Sequence, residues 1–171
     1  GKYRGDILVL PAWGEARDAW CHRSNFCTTA QEMGYRLIFP GMGKSIYTQQ
    51  HYPETRTDWK AYPTYTWLRD TLIPELQEKY CLLAEKGNNF VVGMSAGARG
   101  AVRLLQDRPD LFVAGAALSG DYDPGQMKGD NIYRGFLGSY EKYKDRWEIS
   151  ENLSTEVARI KAPLYLGHGK D

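Results

Sequence analysis

The sequence predicts an α/β protein with a mostly parallel β-sheet and helices on both of its faces. Short, fully apolar runs such as 7–10 and 90–92 alternate along the chain with longer helical patterns. Strands that are buried on both faces of a parallel sheet have this composition. The chain of 171 residues has no internal repeat and no Pro/Gly/Ser-rich linker. We therefore expect residues 1–171 to form a single domain with a substantial core.

The first half of the chain predicts two strands and two helices. A strand over 6–10 stops at Pro11, and a helix over 24–33 is closed by Gly34. A second strand covers 35–39 and is followed by a long irregular stretch over 42–63. The next helix, over 64–84, carries one apolar stripe in which Pro74 predicts a kink. The members of the stripe are Leu68, Leu72, Leu76 and Tyr80.

The second half predicts three further strands, over 89–93, 112–118 and 163–167. A helix over 96–107 follows the first of them, and short helices are expected over 139–147 and 151–160. Residues 120–138 are expected to form a loop. Ligands of open parallel sheets bind beyond the carboxyl ends of the strands. The loops after residues 10, 39, 93, 118 and 167 should therefore share the functional edge.

Charge and cysteine usage exclude several classes of protein. The 22 Lys and Arg balance 21 Asp and Glu, which leaves no basic surface typical of nucleic-acid binding. No apolar run approaches the roughly 18 residues that a membrane span needs. The three His lack metal-ligand spacing, so we expect no metal site. Cys21, Cys27 and Cys81 are too few for a disulfide framework; we interpret them as buried free thiols, with Cys21–Cys27 pairing as the alternative.

The most informative motif is Gly-Met-Ser-Ala-Gly at 93–97, which matches G-x-S-x-G. It lies between an apolar run and a helix, where a sharp turn would project the Ser95 hydroxyl above the sheet. Gly93 and Gly97 would allow strand and helix to approach closely. The N-terminus of the helix would direct free N–H groups at the site, and the Ala96 N–H is the natural first donor to an oxyanion. An incidental serine in a Gly-rich turn is the alternative that we favour less.

A second glycine motif, Gly-Met-Gly-Lys-Ser at 41–45, suggests a phosphate-binding loop but does not fit one. The full pattern requires glycine at the position of Ile38, and no helical pattern begins at Lys44.

Four segments together resemble the α/β-hydrolase group of putative esterases. They are Ser-Ile-Tyr at 45–47, the segment from Tyr65 through Leu76, Val-Val-Gly-Met-Ser-Ala-Gly at 91–97, and Ala-Ala-Leu-Ser-Gly-Asp-Tyr-Asp-Pro at 116–124. This group includes S-formylglutathione hydrolases, tributyrin-type and feruloyl esterases, and mycolyltransferases. The resemblance extends over nearly the whole chain. It implies a Ser–acid–His triad in that chain order.

The resemblance implies roles for individual residues. Ser95 is the nucleophile, and the oxyanion hole combines the Ala96 N–H with a donor from the loop 11–14, for which Trp13 is favoured over Gly14. The acid lies after the last strand, at Asp171 or its immediate neighbour. Such a mechanism needs no cofactor.

The main departure from the family is that this sequence has no histidine at the position where the family carries its catalytic base. The family's histidine follows one further strand, so the resemblance implies either that the α/β-hydrolase fold is truncated at both ends here or that the protein is a reduced variant of it. Among the three histidines of the chain, we expect His51 to line the substrate cleft and favour this role over that of a replacement base. We expect a structural role for His168 and a surface or capping role for His22. A sheet truncated in this way would expose an apolar edge, which predicts partner pairing, dimerisation or poor solubility.

Other polar and aromatic residues have two interpretations each. Asp121 and Asp123 could reach the active-site edge, but we favour turn residues before Pro124. Arg99 and Arg103 are expected to be solvated. A set of four aromatic residues could shape a pocket or form a satellite core: Trp59, Tyr62, Tyr65 and Trp67.

The function expected from these observations is cleavage of a small-molecule carboxylic ester through an acyl-enzyme on Ser95. The alternatives are acyl transfer with the same nucleophile, and a non-catalytic or fragmentary α/β-hydrolase-like module.

Overall fold

A computed structural model describes residues 3–170, and its sheet contains five parallel strands in the order β2-β1-β3-β4-β5. The strands are β1 (Gly5–Leu10), β2 (Tyr35–Ile38), β3 (Asn89–Met94), β4 (Ala114–Leu118) and β5 (Leu164–Gly167). The predicted fold class and all five strands are confirmed. The fourth strand begins two residues later than expected because Phe112 packs in the core ahead of it.

Within residues 3–170, six α-helices surround the sheet. They are α1 (Ala19–Arg23), α2 (Phe26–Glu32), α3 (Tyr65–Trp67), α4 (Ile73–Tyr80), α5 (Ala96–Asp107) and α6 (Asn131–Leu137). Helix α5 packs on β1, β3 and β4, with Leu105 against Gly115. Helix α2 packs on β2 and contributes with α1 to the opposite face, where their residues line a groove together with Ile7 and Tyr35.

The helix expected over 24–33 is confirmed as α2, but α1, which precedes it and is separated from it at 24–25, was not predicted. A disulfide joins Cys21 on α1 to Cys27 on α2, with the two Cα atoms 5.0 Å apart. The interpretation of the cysteines as buried free thiols is therefore wrong for this pair. It is also wrong for Cys81, which is free but exposed. The alternative, that Cys21 pairs with Cys27, is confirmed.

Pro74 disturbs the next helix as predicted, but one turn upstream. Residues Leu68–Leu72 form a π-helical turn, in which the Ile73 N–H bonds to the Leu68 carbonyl five residues back. Proline has no N–H and its ring crowds the preceding turn, so a widened turn lets the helix continue. The helix ends at Tyr80, before the expected Ala84, with Cys81 in a left-handed conformation.

The loop expected over 120–138 is wrong for its second half, which contains α6. The Asp130 carboxylate caps this helix by accepting hydrogen bonds from the N–H groups of Ile132 and Tyr133. Burial of Tyr133, Phe136 and Leu137 stabilises its inner face. The capping aspartate and the i, i+3, i+4 spacing of the three buried residues are the signals in the sequence that could have predicted this helix.

The two short helices expected later in the chain form only in part. Residues 144–150 form a helical turn that is π-helical over Arg146–Ser150, whereas residues 139–143 are not helical. A 3₁₀ segment covers Ser154–Arg159. A 3₁₀ turn also covers Pro124–Gln126.

Strand β5 forms one of the two edges of the described sheet, opposite β2. Its residues Tyr165 and Leu166 are 67% and 58% exposed. Met94, at the end of β3, is also exposed and borders a groove of about 590 Å³ between α1, α2 and the sheet. Across residues 3–170, no helix has the length and apolar character that crossing a membrane demands.

Candidate active site

Ser95 lies in a sharp turn between β3 and α5 and has an exposed side chain. Its backbone angles are φ 52° and ψ −117°, a region that residues with a side chain rarely adopt. Its N–H donates a 2.8 Å hydrogen bond to the Leu118 carbonyl at the end of β4. Its own carbonyl accepts from the Ala98 N–H at 3.0 Å. The strained turn is thus held from both sides and leaves the hydroxyl free above the sheet edge.

The glycines of the motif allow this turn to form. A Cβ on Gly93 would overlap the Gly97 carbonyl, and a Cβ on Gly97 would overlap the Leu10 carbonyl. The predicted close approach of strand and helix is therefore confirmed. It brings the N-terminus of α5 against the end of β1, where the loop 11–14 begins.

The N–H groups of Ala96, Trp13 and Gly14 are the candidate donors to an oxyanion, and they differ in the contacts that they make. Ala96 is the first residue of α5, and first-turn N–H groups have no acceptor within their own helix. The Gly14 N–H already donates to the Gly43 carbonyl at 2.8 Å, so it is engaged elsewhere. Trp13 is held by its ring, which packs edge-on against Trp59 with centroids 5.7 Å apart. Of the two residues in the loop 11–14, Trp13 remains the better candidate.

Tyr47 supports this loop and was not identified from the sequence. It is fully buried and donates a 2.9 Å hydrogen bond from its hydroxyl to the Pro11 carbonyl. Burial raises the pKa of the Tyr47 hydroxyl well above its ordinary value, so the group stays a neutral donor. Its ring lies against Gly100 of α5. Tyr47 therefore fixes the start of the 11–14 loop relative to the helix behind Ser95.

None of the three histidines hydrogen-bonds to Ser95 within the described range. The His51 Nε2 lies 3.0 Å from the Tyr62 carbonyl, and its Nδ1 is buried with no partner in the described residues. His51 lines a shallow pocket with Tyr62 and Trp67. His168 contacts the Gly169 carbonyl, and the exposed His22 contacts Asp18, which agrees with the surface role expected for it.

The segment that resembled a phosphate-binding loop is closed by packing. The Ser45 hydroxyl is buried, donates to the Pro63 carbonyl and accepts from the Tyr47 N–H. The Tyr62 ring covers Gly43. No three His, Cys, Asp or Glu side chains converge as a metal site would require anywhere between residues 3 and 170.

The four aromatic residues divide between the two interpretations. Trp59 and Tyr65 belong to the main core, where Trp59 stacks on Phe136 at 4.9 Å. Tyr62 and Trp67 line the His51 pocket.

The aspartates after β4 also differ from each other. Asp123 is a turn residue, as favoured, because its carboxylate accepts from the Gly125 N–H and from the Asn152 amide. Asp121 is exposed beyond the carboxyl end of β4. Asp171, the expected acid, lies outside the described residues.

The expectation that Arg99 and Arg103 are solvated is wrong. Their side chains are 1% and 3% exposed, and both face the buried carboxylate of Glu151. Arg99 and Arg103 lie one turn apart on α5, in a run of small residues that packs tightly on all sides. That run of Gly and Ala was the signal that could have predicted burial.

Comparison with known proteins agrees with this geometry. The family model described as "Putative esterase" matches residues 37–164, about three quarters of the chain. No curated protein sequence matches it.

Solved structures with the same fold include three hydrolases. A substrate-bound fluorophosphonate-binding serine hydrolase F of Staphylococcus aureus is 15% identical with a TM-score of 0.74, over 99% of this chain and 66% of its own. An S-formylglutathione hydrolase from the same organism is 16% identical with a TM-score of 0.72, over 100% and 66%. One from Agrobacterium tumefaciens is 12% identical with a TM-score of 0.62, over 99% and 78%.

At these identities the likeness establishes the α/β-hydrolase fold. The chain spans just under two thirds of the length of the first two structures. With a strained Ser95 between β3 and α5 and a family model that covers most of its length, the chain belongs to the "Putative esterase" family.

Proposed function

We propose that the protein is a serine hydrolase that cleaves a small-molecule carboxylic ester through an acyl-enzyme on Ser95. The observation that carries this proposal is the conformation of Ser95, at φ 52° and ψ −117°, between β3 and α5. A strained, non-glycine backbone persists only where the surrounding structure enforces it, and such residues cluster at active sites. At this turn, the strain presents one exposed hydroxyl beside the N-terminus of a twelve-residue helix.

The proposed reaction begins with attack of the Ser95 Oγ on the carbonyl carbon of the ester. The negative charge that develops on the carbonyl oxygen is stabilised by the Ala96 N–H, aided by the positive end of the α5 dipole. A second hydrogen bond comes from the Trp13 N–H, in the loop that Tyr47 fixes. Collapse of the tetrahedral intermediate releases the alcohol and leaves an acyl group on Ser95. Water then cleaves that acyl-enzyme.

The proposal requires a base, because a serine hydroxyl at its ordinary pKa is a weak nucleophile. His51 and His168 are both bonded to backbone carbonyls instead of Ser95. Either ring must therefore rearrange, or the base must come from outside the 171 residues. Asp171 remains the proposed acid that would orient the base.

The printed names of similar structures support hydrolysis in general terms. One is a fluorophosphonate-binding serine hydrolase and two are S-formylglutathione hydrolases. These names support hydrolysis of an acyl compound, and the first of them supports a serine as the nucleophile.

Intact-mass measurement after treatment with a fluorophosphonate tests the proposal. We expect one adduct on the wild-type protein and none on Ser95→Ala. Ser119→Ala is a matched control, because Ser119 is also exposed, lies at the end of the neighbouring strand and has φ 52°. It should keep the adduct. A folded wild-type protein with no adduct would contradict the proposal for this chain and favour a non-catalytic module.

A further inference from the structure

Three charged side chains form a closed cluster behind Ser95. Arg99 and Arg103 project from α5, and Glu151 follows the π-helical turn Arg146–Ser150. Their side chains are 1%, 3% and 0% exposed. Two buried cations thus face one buried anion, and the Nε of Arg103 has no partner in the described structure. Burial of unbalanced charge is costly, so apolar residues would serve better if packing were the only requirement.

Arg99 differs from Arg103 in what it binds. Its guanidinium donates to three backbone carbonyls: Ile46 at 3.3 Å, Asp121 at 2.7 Å and Glu151 at 3.1 Å. These carbonyls belong to three separate segments, which are the long loop after β2, the loop after β4 and the end of the π-helical turn. A planar guanidinium presents donors in several fixed directions, which a single ammonium group cannot reproduce.

Arg99 and the loop that carries Asp121 are both linked to the Ser95 turn by backbone contacts. Arg99 is four residues after Ser95, and its N–H approaches the Ser95 carbonyl at 3.4 Å. The loop that carries Asp121 starts after Leu118, whose carbonyl accepts the Ser95 N–H. The Ser95 backbone is therefore bonded on one side to the Arg99 N–H and on the other to Leu118, at the end of β4. The loop that Arg99 binds through the Asp121 carbonyl begins at that end of β4.

Arg103 contacts the same cluster, but of the three segments it binds only the one that carries Glu151. Its hydrogen bond goes to the Glu151 carboxylate, on the side opposite the Tyr52 hydroxyl and the Gln49 N–H. The two arginines share burial, charge, helix and partner. They differ in that Arg99 alone binds the loops at the carboxyl edge of the sheet.

We propose that Arg99 is a positioning residue for Ser95, which holds the 46–49 and 119–123 segments in register with the nucleophile turn. This inference rests on the proposed esterase function. It adds a residue that acts through backbone carbonyls, outside the Ser–acid–His set and the oxyanion donors. Small displacements of groups around a reacting centre lower the rate of chemistry more than they lower ground-state binding.

Arg99→Met and Arg103→Met form the matched pair that tests the inference. Each variant leaves one guanidinium facing one carboxylate, so both should remain folded. For Arg99→Met we expect the rate of fluorophosphonate labelling at Ser95, and kcat on any ester substrate, to fall by about tenfold or more with KM little changed. Arg103→Met should stay within about threefold of wild type when both are compared at equal folded fraction.

Amide hydrogen exchange supplies a readout that does not need activity. Arg99→Met should speed exchange in segment 119–123, whereas Arg103→Met should not, because only Arg99 binds the Asp121 carbonyl. Equal losses of rate in both variants, or a wild-type labelling rate in Arg99→Met, would overturn the inference. Absence of labelling in the wild-type protein is a different result, because it would contradict the proposed function on which the inference rests.

Discussion

The backbone of Gly97 lies so close to the Leu10 carbonyl that no Cβ fits between them. This contact joins the first turn of α5 to the last residue of β1. The two proposed oxyanion donors, at Ala96 and Trp13, emerge from the two sides of that contact. The distance between helix and strand therefore sets the geometry of the site.

Gly97→Ala tests this contact. The added methyl would overlap the Leu10 carbonyl, a backbone atom that cannot rotate away. We expect the free energy of unfolding to fall by about 1–3 kcal/mol, as for other overpacked sites. Gly129→Ala is the control, because a Cβ there meets nothing within 4 Å, and it should change stability by less than about 0.5 kcal/mol. Equal effects in chemical denaturation would show that the approach of α5 to β1 is not close.

The backbone conformation of Ser95 should lower the free energy of unfolding of the protein, because a residue with a Cβ is strained there. Ser95→Gly and Ser95→Ala both remove the hydroxyl, but only alanine keeps a Cβ at φ 52°. We expect the glycine variant to be more stable than the alanine variant by about 1–2 kcal/mol, despite the usual entropic cost of glycine. Thermal and chemical denaturation measure this difference. If the alanine variant were as stable as the glycine variant, the turn would not be strained.

Much of the fold and the centre of the site could be predicted because they depend on local patterns. Apolar runs identified all five strands, and the boundaries of α5 were predicted at Ala96 and Asp107, where the structure has them. The position of Ser95 followed from the glycines on either side of it.

The residues missed by sequence reasoning depend on contacts between distant segments. Tyr47 reaches Pro11 across 36 positions, and Arg99 reaches Ile46 across 53. An arginine on a helix is ordinarily solvated, so its burial depends on segments far away in the chain. The Cys21–Cys27 bond, which the sequence offered only as an alternative, depends on the position of α1, a helix that the local pattern did not predict.

The disulfide should contribute measurably to stability. Cys21 and Cys27 are six positions apart, and closure of so short a loop restricts the unfolded chain by about 2 kcal/mol. We expect the Cys21→Ser/Cys27→Ser double variant to lose about that much, and wild type to lose as much under a reducing agent. Cys81→Ser is the control, since Cys81 is free and exposed. A double variant as stable as wild type would show that the bond adds nothing to folding.

Glu54 predicts an acid-dependent loss of stability. Hydrogen bonds from Arg146, and next from Tyr143, lower the pKa of the Glu54 carboxyl to about 2, below its ordinary value of 4.5. A carboxyl whose pKa is lower in the folded state stabilises the fold above its ordinary pKa. That contribution is lost as the pH falls from about 4.5 towards 2. Glu54→Gln should therefore flatten the pH dependence of Tm in that range, and an unchanged slope would contradict the role of this pair.

The exposed edge of the sheet predicts self-association. Strand β5 has only β4 as a neighbour in the described sheet, and its Leu166 side chain is 58% exposed. An edge strand offers unpaired backbone groups to another chain, and a charged side chain on the edge discourages pairing. We expect the 171-residue chain to form larger species with rising concentration in sedimentation velocity, and Leu166→Lys to reduce them. Ile149→Lys is the matched control, because Ile149 is 69% exposed but lies outside any strand. Equal suppression by both variants would assign association to general hydrophobicity, and a monomer at every concentration would remove the prediction.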